Sequence, residues 1–153
     1  QVMGYIGDTY FNGNGVEQDY SKAMEWYEKA ASAGSIQAMN CIGTMYFNGN
    51  GVEQNYTRAK EWYEKAADLS NAMAMYKIGT MYFNGNGVEQ NYTKAMEWYE
   101  KAAEAGNADA LCKIGIMFIK GHGVDEDHTK AMELIKRAAE LGSSFAQKIY
   151  TQN

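Results

Sequence analysis

The stretch FNGNGVEQ occupies residues 11–18 and returns letter for letter at 47–54 and at 83–90. A changed version, IKGHGVDE, follows at 119–126, so that each copy begins 36 residues after the one before it. A fixed period of this kind is the signature of a repeat architecture, in which one supersecondary unit is stacked several times. The sequence therefore predicts four repeats of 36 residues.

Two amphipathic stripes flank the glycines in each repeat. Between residues 38 and 46 the apolar side chains recur at i, i+4, i+7 and i+8, and between 59 and 66 they recur at i, i+3, i+4 and i+7. Both spacings are helical, and no stretch alternates as a strand would. We expect a helix A over roughly 37–48 and a helix B over roughly 56–69, with the same pair in every repeat. The fold class predicted from these pairs is all-α.

The predicted helices carry end signals. Helix B is expected to begin after an Asp or Asn cap, at Asp19, Asn55, Asn91 and Asp127. It is expected to end at a glycine, at Gly34, Gly106 and Gly142. Ser70 takes the place of that glycine in the second repeat, which predicts a strained or differently closed turn there. Glu25 precedes Lys29 by four residues, a spacing kept in the other repeats, and predicts an ion pair on a solvated face.

Composition excludes several classes of function. The 153 residues are 46% hydrophobic, enough for a packed core, and the net charge of −5 argues against nucleic acid and anionic membrane surfaces as partners. No apolar run approaches the roughly 18 residues of a transmembrane helix, so no membrane insertion is expected. The two cysteines, Cys41 and Cys112, lie in different repeats and do not indicate a disulfide framework. The opening QVMGYIG starts part-way through a repeat, so we expect a piece of a longer protein, and the compartment stays open.

The glycine loop could in principle hold a ligand, but its residues do not fit one. A dinucleotide loop needs a third glycine and a preceding strand, whereas Gly13 and Gly15 lead to Gln18 after a helix. A calcium loop in the only usable register would place Tyr10 and Ser21 at its first and last ligand positions. We therefore expect no cofactor, no metal and no catalytic residue in these loops.

Two other features could carry chemistry. His122 and His128 lie beside three acidic residues in the fourth repeat. A surface cluster of this kind could bind a stray metal, but it is interpreted as a polar loop together with a substituted Tyr. Cys112 has no base at an interpretable spacing and is interpreted as a groove or core thiol, not as a nucleophile. The methionines Met24, Met45, Met81, Met96 and Met117 are expected to serve mostly in packing.

The pattern of residues 38–67, AMNCIGTMYFNGNGVEQNYTRAKEWYEKAA, resembles the Sel-one-like repeat (SLR), a relative of the tetratricopeptide repeat. The resemblance rests on the small residue, the aliphatic-Gly pair, G-x-G-V, the W-Y pair and the double alanine, and it covers almost the whole chain. The fourth repeat departs most, with Leu134 and Ile135 in place of Trp-Tyr and His128 in place of Tyr.

The resemblance implies a right-handed α-α solenoid that forms a single domain. Its repeats would run over about 1–34, 35–70, 71–106 and 107–142, followed by a terminal helix over 143–153. That helix would either cap the stack or begin a fifth repeat.

By the same resemblance, the chain is expected to be a non-enzymatic scaffold or adaptor that binds another protein or peptide in a concave groove. One alternative is a self-assembling structural module that stacks end to end. Another, by family analogy alone, is an enzyme linked to β-lactams or peptidoglycan. The paired cysteines of the bacterial subgroup with reported β-lactam binding are missing from this chain.

Helix A lines the groove in the related tetratricopeptide repeats, and alignment on the Ile-Gly pair gives the groove positions here. The expected partner-binding residues are Phe11, Asn12, Asn40, Thr44, Phe47, Asn48, Tyr76, Thr80, Phe83, Asn84 and Ile119. Further positions of the same phase are Asp8, Gln37, Met73, Asp109, Cys112, Ile116 and Lys120. The phenylalanines would anchor an extended segment, and the neighbouring asparagines would bond its backbone. An alternative is that each Phe packs against the neighbouring helix.

Overall fold

A computed structural model of the chain describes residues 1–151. These residues form nine α-helices, and no strand occurs among them. The helices are α1 Val2–Asn12, α2 Tyr20–Ser32, α3 Ile36–Asn48, α4 Tyr56–Asp68, α5 Ala72–Asn84, α6 Tyr92–Glu104, α7 Ala108–Lys120, α8 His128–Glu140 and α9 Ser144–Thr151. Helices α1, α3, α5 and α7 are the predicted A helices, and α2, α4, α6 and α8 are the predicted B helices.

In the first three repeats, helix A packs closely on the helix B that follows it because a glycine faces an aromatic ring. A Cβ atom built on Gly43 of α3 would lie 2.6 Å from a ring carbon of Tyr63 on α4. The same approach occurs at Gly7 and Gly79, so the ring of helix B rests on the backbone of helix A. Real Cβ atoms do not come this close, and these positions therefore admit only glycine without a shift of the helix pair.

The predicted helix ends are confirmed. Each expected cap of helix B accepts a hydrogen bond from the backbone N–H three residues later, as Asn55 does from Arg58 at 3.0 Å. The A helices have caps that the sequence analysis did not identify, at Ser35, Asn71 and Asn107. Ser70 has a φ of 62° and is the one residue other than glycine with a left-handed backbone among residues 1–151. The strained turn expected there is confirmed.

The first glycine of the repeated loop ends helix A. Gly49 adopts a φ of 74°, and its N–H donates to Met45 O at 2.8 Å. Two further bonds close the loop in the second repeat: Gln54 Nε2 donates to Phe47 O, and Asn55 N–H donates to Tyr46 O, both at 2.8 Å. The same hydrogen bond recurs in the first and third repeats. The glutamine that ends FNGNGVEQ therefore donates to the backbone carbonyl of the phenylalanine that begins it.

The second glycine of the loop permits a contact with the preceding repeat. A Cβ on Gly51 would lie 2.3 Å from Tyr20 Cβ, and a Cβ on Gly123 would lie 2.8 Å from Tyr92 Cβ. Gly15 of the first repeat has the same left-handed backbone, with a φ of 77°, but a Cβ there would meet nothing within 4 Å. The loop therefore serves as a spacer between repeats as well as a turn.

The described residues divide into two compact units, Gln1–Leu69 and the residues from Ser70 to Thr151. In the N-terminal unit the core consists chiefly of alanines, Ile42, Met45 and the ring of Tyr27. In the C-terminal unit one cluster surrounds Tyr99 and Met117. The five methionines expected to serve in packing are all buried. The single domain over 1–153 remains a prediction.

The predicted Glu–Lys pairs of helix B are wrong. Among residues 1–151, none of these pairs comes within ion-pair distance. Lys29 lies over the ring of Trp26 instead, 4.5 Å from its centroid, and Lys65 lies 3.9 Å from that of Trp62. The Trp precedes the Lys by three residues and offers a large π-face, so the ammonium group settles on the ring.

Helix α9 begins as an A helix does. Ser143 Oγ accepts a hydrogen bond from Ala146 N–H at 3.1 Å, and Ala146 is buried where α9 packs on α8. Thr151, however, stands at the place of Gly115, where a Cβ would come within 2.8 Å of Ile135 on α8. Helix α9 thus has the start of helix A but lacks the glycine on which a helix B rests.

Candidate interaction surface

The predicted groove residues all lie on A helices, and each unit presents its own set. We call these residues the helix-A face. In the N-terminal unit they are Phe11, Asn12, Asn40, Thr44, Phe47 and Asn48, on α1 and α3. In the C-terminal unit they are Tyr76, Thr80, Phe83, Asn84 and Ile119, on α5 and α7.

A tyrosine hydroxyl from helix B reaches the threonine of the helix-A face. The oxygens of Thr44 and Tyr63 lie 3.1 Å apart, as do those of Thr80 and Tyr99. Since Thr44 Oγ1 already donates to Asn40 O at 2.9 Å, its one hydroxyl proton is used, and Tyr63 is the donor in the shared bond. Through these hydrogen bonds, the threonines of the helix-A face are joined to the helix B that packs behind them.

The first and fourth repeats vary this pair. In the first, Tyr27 O–H donates to Asp8 Oδ1 at 2.7 Å, so a carboxylate replaces the threonine. In the fourth, Ile116 and Ile135 replace both members, and Ile135 is buried. Exchanging both partners together leaves no unpaired polar group. These tyrosines were not among the predicted site residues, although the paired change in the fourth repeat is a signal that the sequence carries.

Burial sets the ionisation of these tyrosines. It raises the pKa of Tyr63 and of Tyr99 to about 12. Burial and, after it, the bond to Asp8 raise the pKa of Tyr27 further. All three hydroxyls therefore stay protonated and act as donors at neutral pH.

Each phenylalanine of the helix-A face is half-buried against the first tyrosine of helix B. The ring centroids of Phe47 and Tyr56 lie 5.0 Å apart in an edge-to-face arrangement. Phe11 and Phe83 make the equivalent contact at 5.2 Å with their own tyrosines. Such pairs are typically worth about 0.5–1.5 kcal/mol beyond the area they bury. The phenylalanines thus pack on one side and keep part of their surface open to solvent.

The other residues of the face differ in exposure. Asn48 and Asn84 are exposed at the last position of their helices, as is Asn12. Tyr76 is half-buried, with its ring centroid 5.6 Å from that of Tyr99. Ile119 is half-buried against a cluster that includes Cys112 and Ile135.

The two histidines of the fourth repeat contact neighbouring side chains. His122 stacks on Tyr92, with centroids 4.5 Å apart and planes 4° from parallel, and His128 lies 3.9 Å from Glu126. Across residues 1–151, no group of three or more His, Cys, Asp or Glu side chains is arranged to hold a metal ion. Burial raises the pKa of the Cys112 thiol to about 11, as suits a packed side chain.

Four successive segments of the chain match the sequence model of the Sel1 repeat, at residues 3–35, 36–71, 72–107 and 108–143. The chain belongs to the Sel1 repeat family. Its fold is an all-α solenoid built from four such repeats. Proteins of this family are commonly protein-interaction modules and are generally non-catalytic.

Solved Sel1 repeat structures are similar to this chain. A Sel1 repeat protein from Oxalobacter formigenes has 35% identity and a TM-score of 0.91 over 98% of this chain. The protein c5321 of uropathogenic Escherichia coli, described as a protective antigen with an SLR fold, has 35% identity and a TM-score of 0.86 over 98% of this chain. Cysteine-rich protein B of Helicobacter pylori has 24% identity and a TM-score of 0.65, and the match covers 90% of this chain and 98% of that protein. At this identity the similarity is evidence of a shared fold only.

This chain spans 61% of the Oxalobacter protein and 32% of c5321. No curated protein sequence is significantly similar to it. Within residues 1–151, no helix has the length and apolar character needed to cross a membrane.

Proposed function

We propose that this chain is a non-enzymatic interaction module that holds a segment of a partner protein along the helix-A face. The observation that carries the proposal is the pairing of an exposed asparagine with a half-buried phenylalanine at the end of helix A. Phe47 and Asn48 form such a pair in the N-terminal unit, and Phe83 and Asn84 form one in the C-terminal unit.

The chemistry of this pair suits an extended chain. An asparagine side chain offers both a donor and an acceptor, and an extended backbone has unpaired groups of both kinds. The open part of each phenylalanine ring offers apolar contact to a side chain of the segment. The loop bond from Gln54 to Phe47 O and the ring contact with Tyr56 hold Phe47 in one orientation before a partner arrives. Less ordering is then required on binding.

An enzymatic role has less support. Cys112 was expected at a groove position but is fully buried, and its raised pKa keeps it a neutral thiol at physiological pH. A thiol in that state is a poor nucleophile.

End-to-end association of copies is a second candidate function, favoured by one observation. Val2 and Tyr5 of α1 are each 74% exposed, whereas Ala38, which occupies the place of Val2 in the second repeat, is 1% exposed. The outer face of α1 is therefore uncovered where an internal helix A would be covered. Light scattering over a concentration series measures this association, and a constant monomer mass would exclude it.

The test of partner binding uses a segment selected from a random peptide library on the 153-residue chain. Asn48→Ala and Asn84→Ala should each weaken its binding about two- to tenfold, the range for losing one hydrogen bond. Glu61→Ala and Glu97→Ala change exposed residues of helix B and serve as matched controls. Equal effects of the two pairs of variants would contradict the proposal.

The phenylalanine contribution is tested with Phe47→Leu, which keeps an apolar side chain and removes the ring. We expect weaker binding of the selected segment together with a folded chain, because the ring is half-buried and not part of the deep core. Loss of the folded state in Phe47→Leu would assign Phe47 to packing alone.

A further inference from the structure

A cleft of about 370 Å³ opens between α1 and α3 in the N-terminal unit. Its lining includes Tyr5 and Asp8 from α1, Ser35 and Gln37 at the start of α3, and Tyr27 from α2. Asp8 carries the one charged side chain among the residues that line it. The cleft therefore presents a carboxylate, with which an apolar group of a partner could form no hydrogen bond or ion pair.

The charge of Asp8 is not needed by the fold. Its Oδ1 atom accepts the Tyr27 hydroxyl, but Thr44 and Thr80 satisfy the equivalent tyrosines in the second and third repeats without any charge. A partly buried carboxylate loses hydration, whereas threonine meets the same need at no such cost. The carboxylate therefore suggests recognition of a group from outside the chain.

The remaining groups of the cleft match a guanidinium ion. Asp8 Oδ2 accepts no hydrogen bond from any residue between 1 and 151, and the exposed Gln37 side chain offers a second acceptor. The ring of Tyr5, 74% exposed, stands at the rim with its face available for stacking. A guanidinium group bonds carboxylate and amide oxygens through a planar fork and stacks on aromatic rings, which an ammonium group does less well.

We propose that the Asp8 cleft binds an arginine side chain of the partner segment. This inference rests on the proposed function and adds the chemical class of one partner residue to it. The carboxylate would receive the guanidinium edge, Gln37 would accept a further bond, and Tyr5 would cover the flat face. The partner segment would therefore carry its arginine at the end that lies along α1.

The experiment titrates the ¹⁵N-labelled chain with N-acetyl-arginine amide and, in parallel, with N-acetyl-citrulline amide. Citrulline keeps the size and planarity of arginine, but it is neutral and has a carbonyl oxygen in place of one terminal NH₂ donor. We expect saturable shifts of the Gly4, Asp8 and Gln37 amide signals, with arginine at least about tenfold tighter than citrulline because its bonds are charge-assisted. Equal affinity for the two compounds, or no shift at these amides, would overturn the inference.

Two variants localise the effect. Asp8→Thr keeps an acceptor for Tyr27, as Thr44 does for Tyr63, and Asp8→Asn keeps the shape of the side chain. Both should remove the preference for arginine while the melting temperature stays near that of the parent chain. A preference that persists in either variant would overturn the inference. The inference would also be overturned if Asn48→Ala weakened the binding of a selected segment while Asp8→Thr left that binding unchanged. That result would be consistent with the proposed function.

Discussion

Thr44 on α3 and Tyr63 on α4 join helix A to helix B through a hydrogen bond of 3.1 Å, directly beneath the helix-A face. The bond is made by residues 19 apart, and the third repeat copies it with Thr80 and Tyr99. It couples the floor of the proposed binding face to the core of the repeat, because the Tyr63 ring is buried against Gly43.

A double-mutant cycle on this pair should show coupling. Thr44→Val removes the hydrogen bond between Thr44 and the Tyr63 hydroxyl and should lower the free energy of unfolding by about 0.5–1.5 kcal/mol. Tyr63→Phe should cost about 0.5–1.5 kcal/mol, and adding it to Thr44→Val should cost little more. Urea denaturation followed by circular dichroism measures each variant. Additive losses in the double variant would contradict the bond.

Alkaline pH should destabilise the fold through the same tyrosines. The folded-state pKa of Tyr63 and Tyr99 is raised to about 12 from an ordinary value of 10.0, so the unfolded chain loses these protons first. The stability is therefore complete below pH 10 and falls as the pH rises toward 12. Tyr63→Phe should flatten part of this fall in a series of urea titrations. An unchanged slope in the variant would exclude Tyr63 as a source.

Gly51 should be far less tolerant of substitution than Gly15. Both have a left-handed backbone, so Gly15→Ala reports the conformational strain alone, roughly 1–2 kcal/mol. Gly51→Ala adds a collision with Tyr20 and should cost a further 1–3 kcal/mol or so. Thermal denaturation of the two variants gives the comparison. Equal melting temperatures would show that the loop does not space the repeats.

Ser70→Gly should stabilise the chain. The φ of 62° at Ser70 costs an ordinary residue roughly 1–2 kcal/mol, and the equivalent turns at Gly34, Gly106 and Gly142 avoid that cost. The melting temperature should therefore rise by a few degrees, about 2–4 °C per kcal/mol for a chain of this size. Gly106→Ser is the reciprocal control and should lower it. A fall in melting temperature for Ser70→Gly would contradict the strained turn.

The course of the chain was largely predictable from its sequence, and the reasons are local. An N-cap such as Asn55 and a terminating glycine such as Gly34 act within the first or last turn of their own helix. The identity of these residues is therefore enough to predict where the helix begins or ends. The role of Gly51 was not predictable, because Tyr20 meets it from the preceding repeat. The prediction of an ion pair between Lys29 and Glu25 failed for a related reason. Helical spacing makes several residues neighbours of Lys29, and the structure shows that Lys29 contacts the ring of Trp26.

The binding role of the candidate site stays a prediction, and the sequence indicated its residues but not the contacts around them. Its residues came from a family resemblance that assigns the binding face to helix A. The hydroxyl of Tyr63 beneath Thr44 and the cleft at Asp8 depend on side chains brought together from different helices. No periodicity in one helix could have indicated them.

A chemical-shift map of the ¹⁵N-labelled chain bound to a selected segment shows directly whether the helix-A face holds that segment. Asn48 and Asn84 report on helix A, and the indole N–H groups of Trp26, Trp62 and Trp98 report on helix B. We expect saturation to shift the backbone and side-chain amide signals of the two asparagines and to leave the three indole signals in place. Shifts confined to the indole signals would place binding on helix B and would exclude the helix-A face as the binding surface.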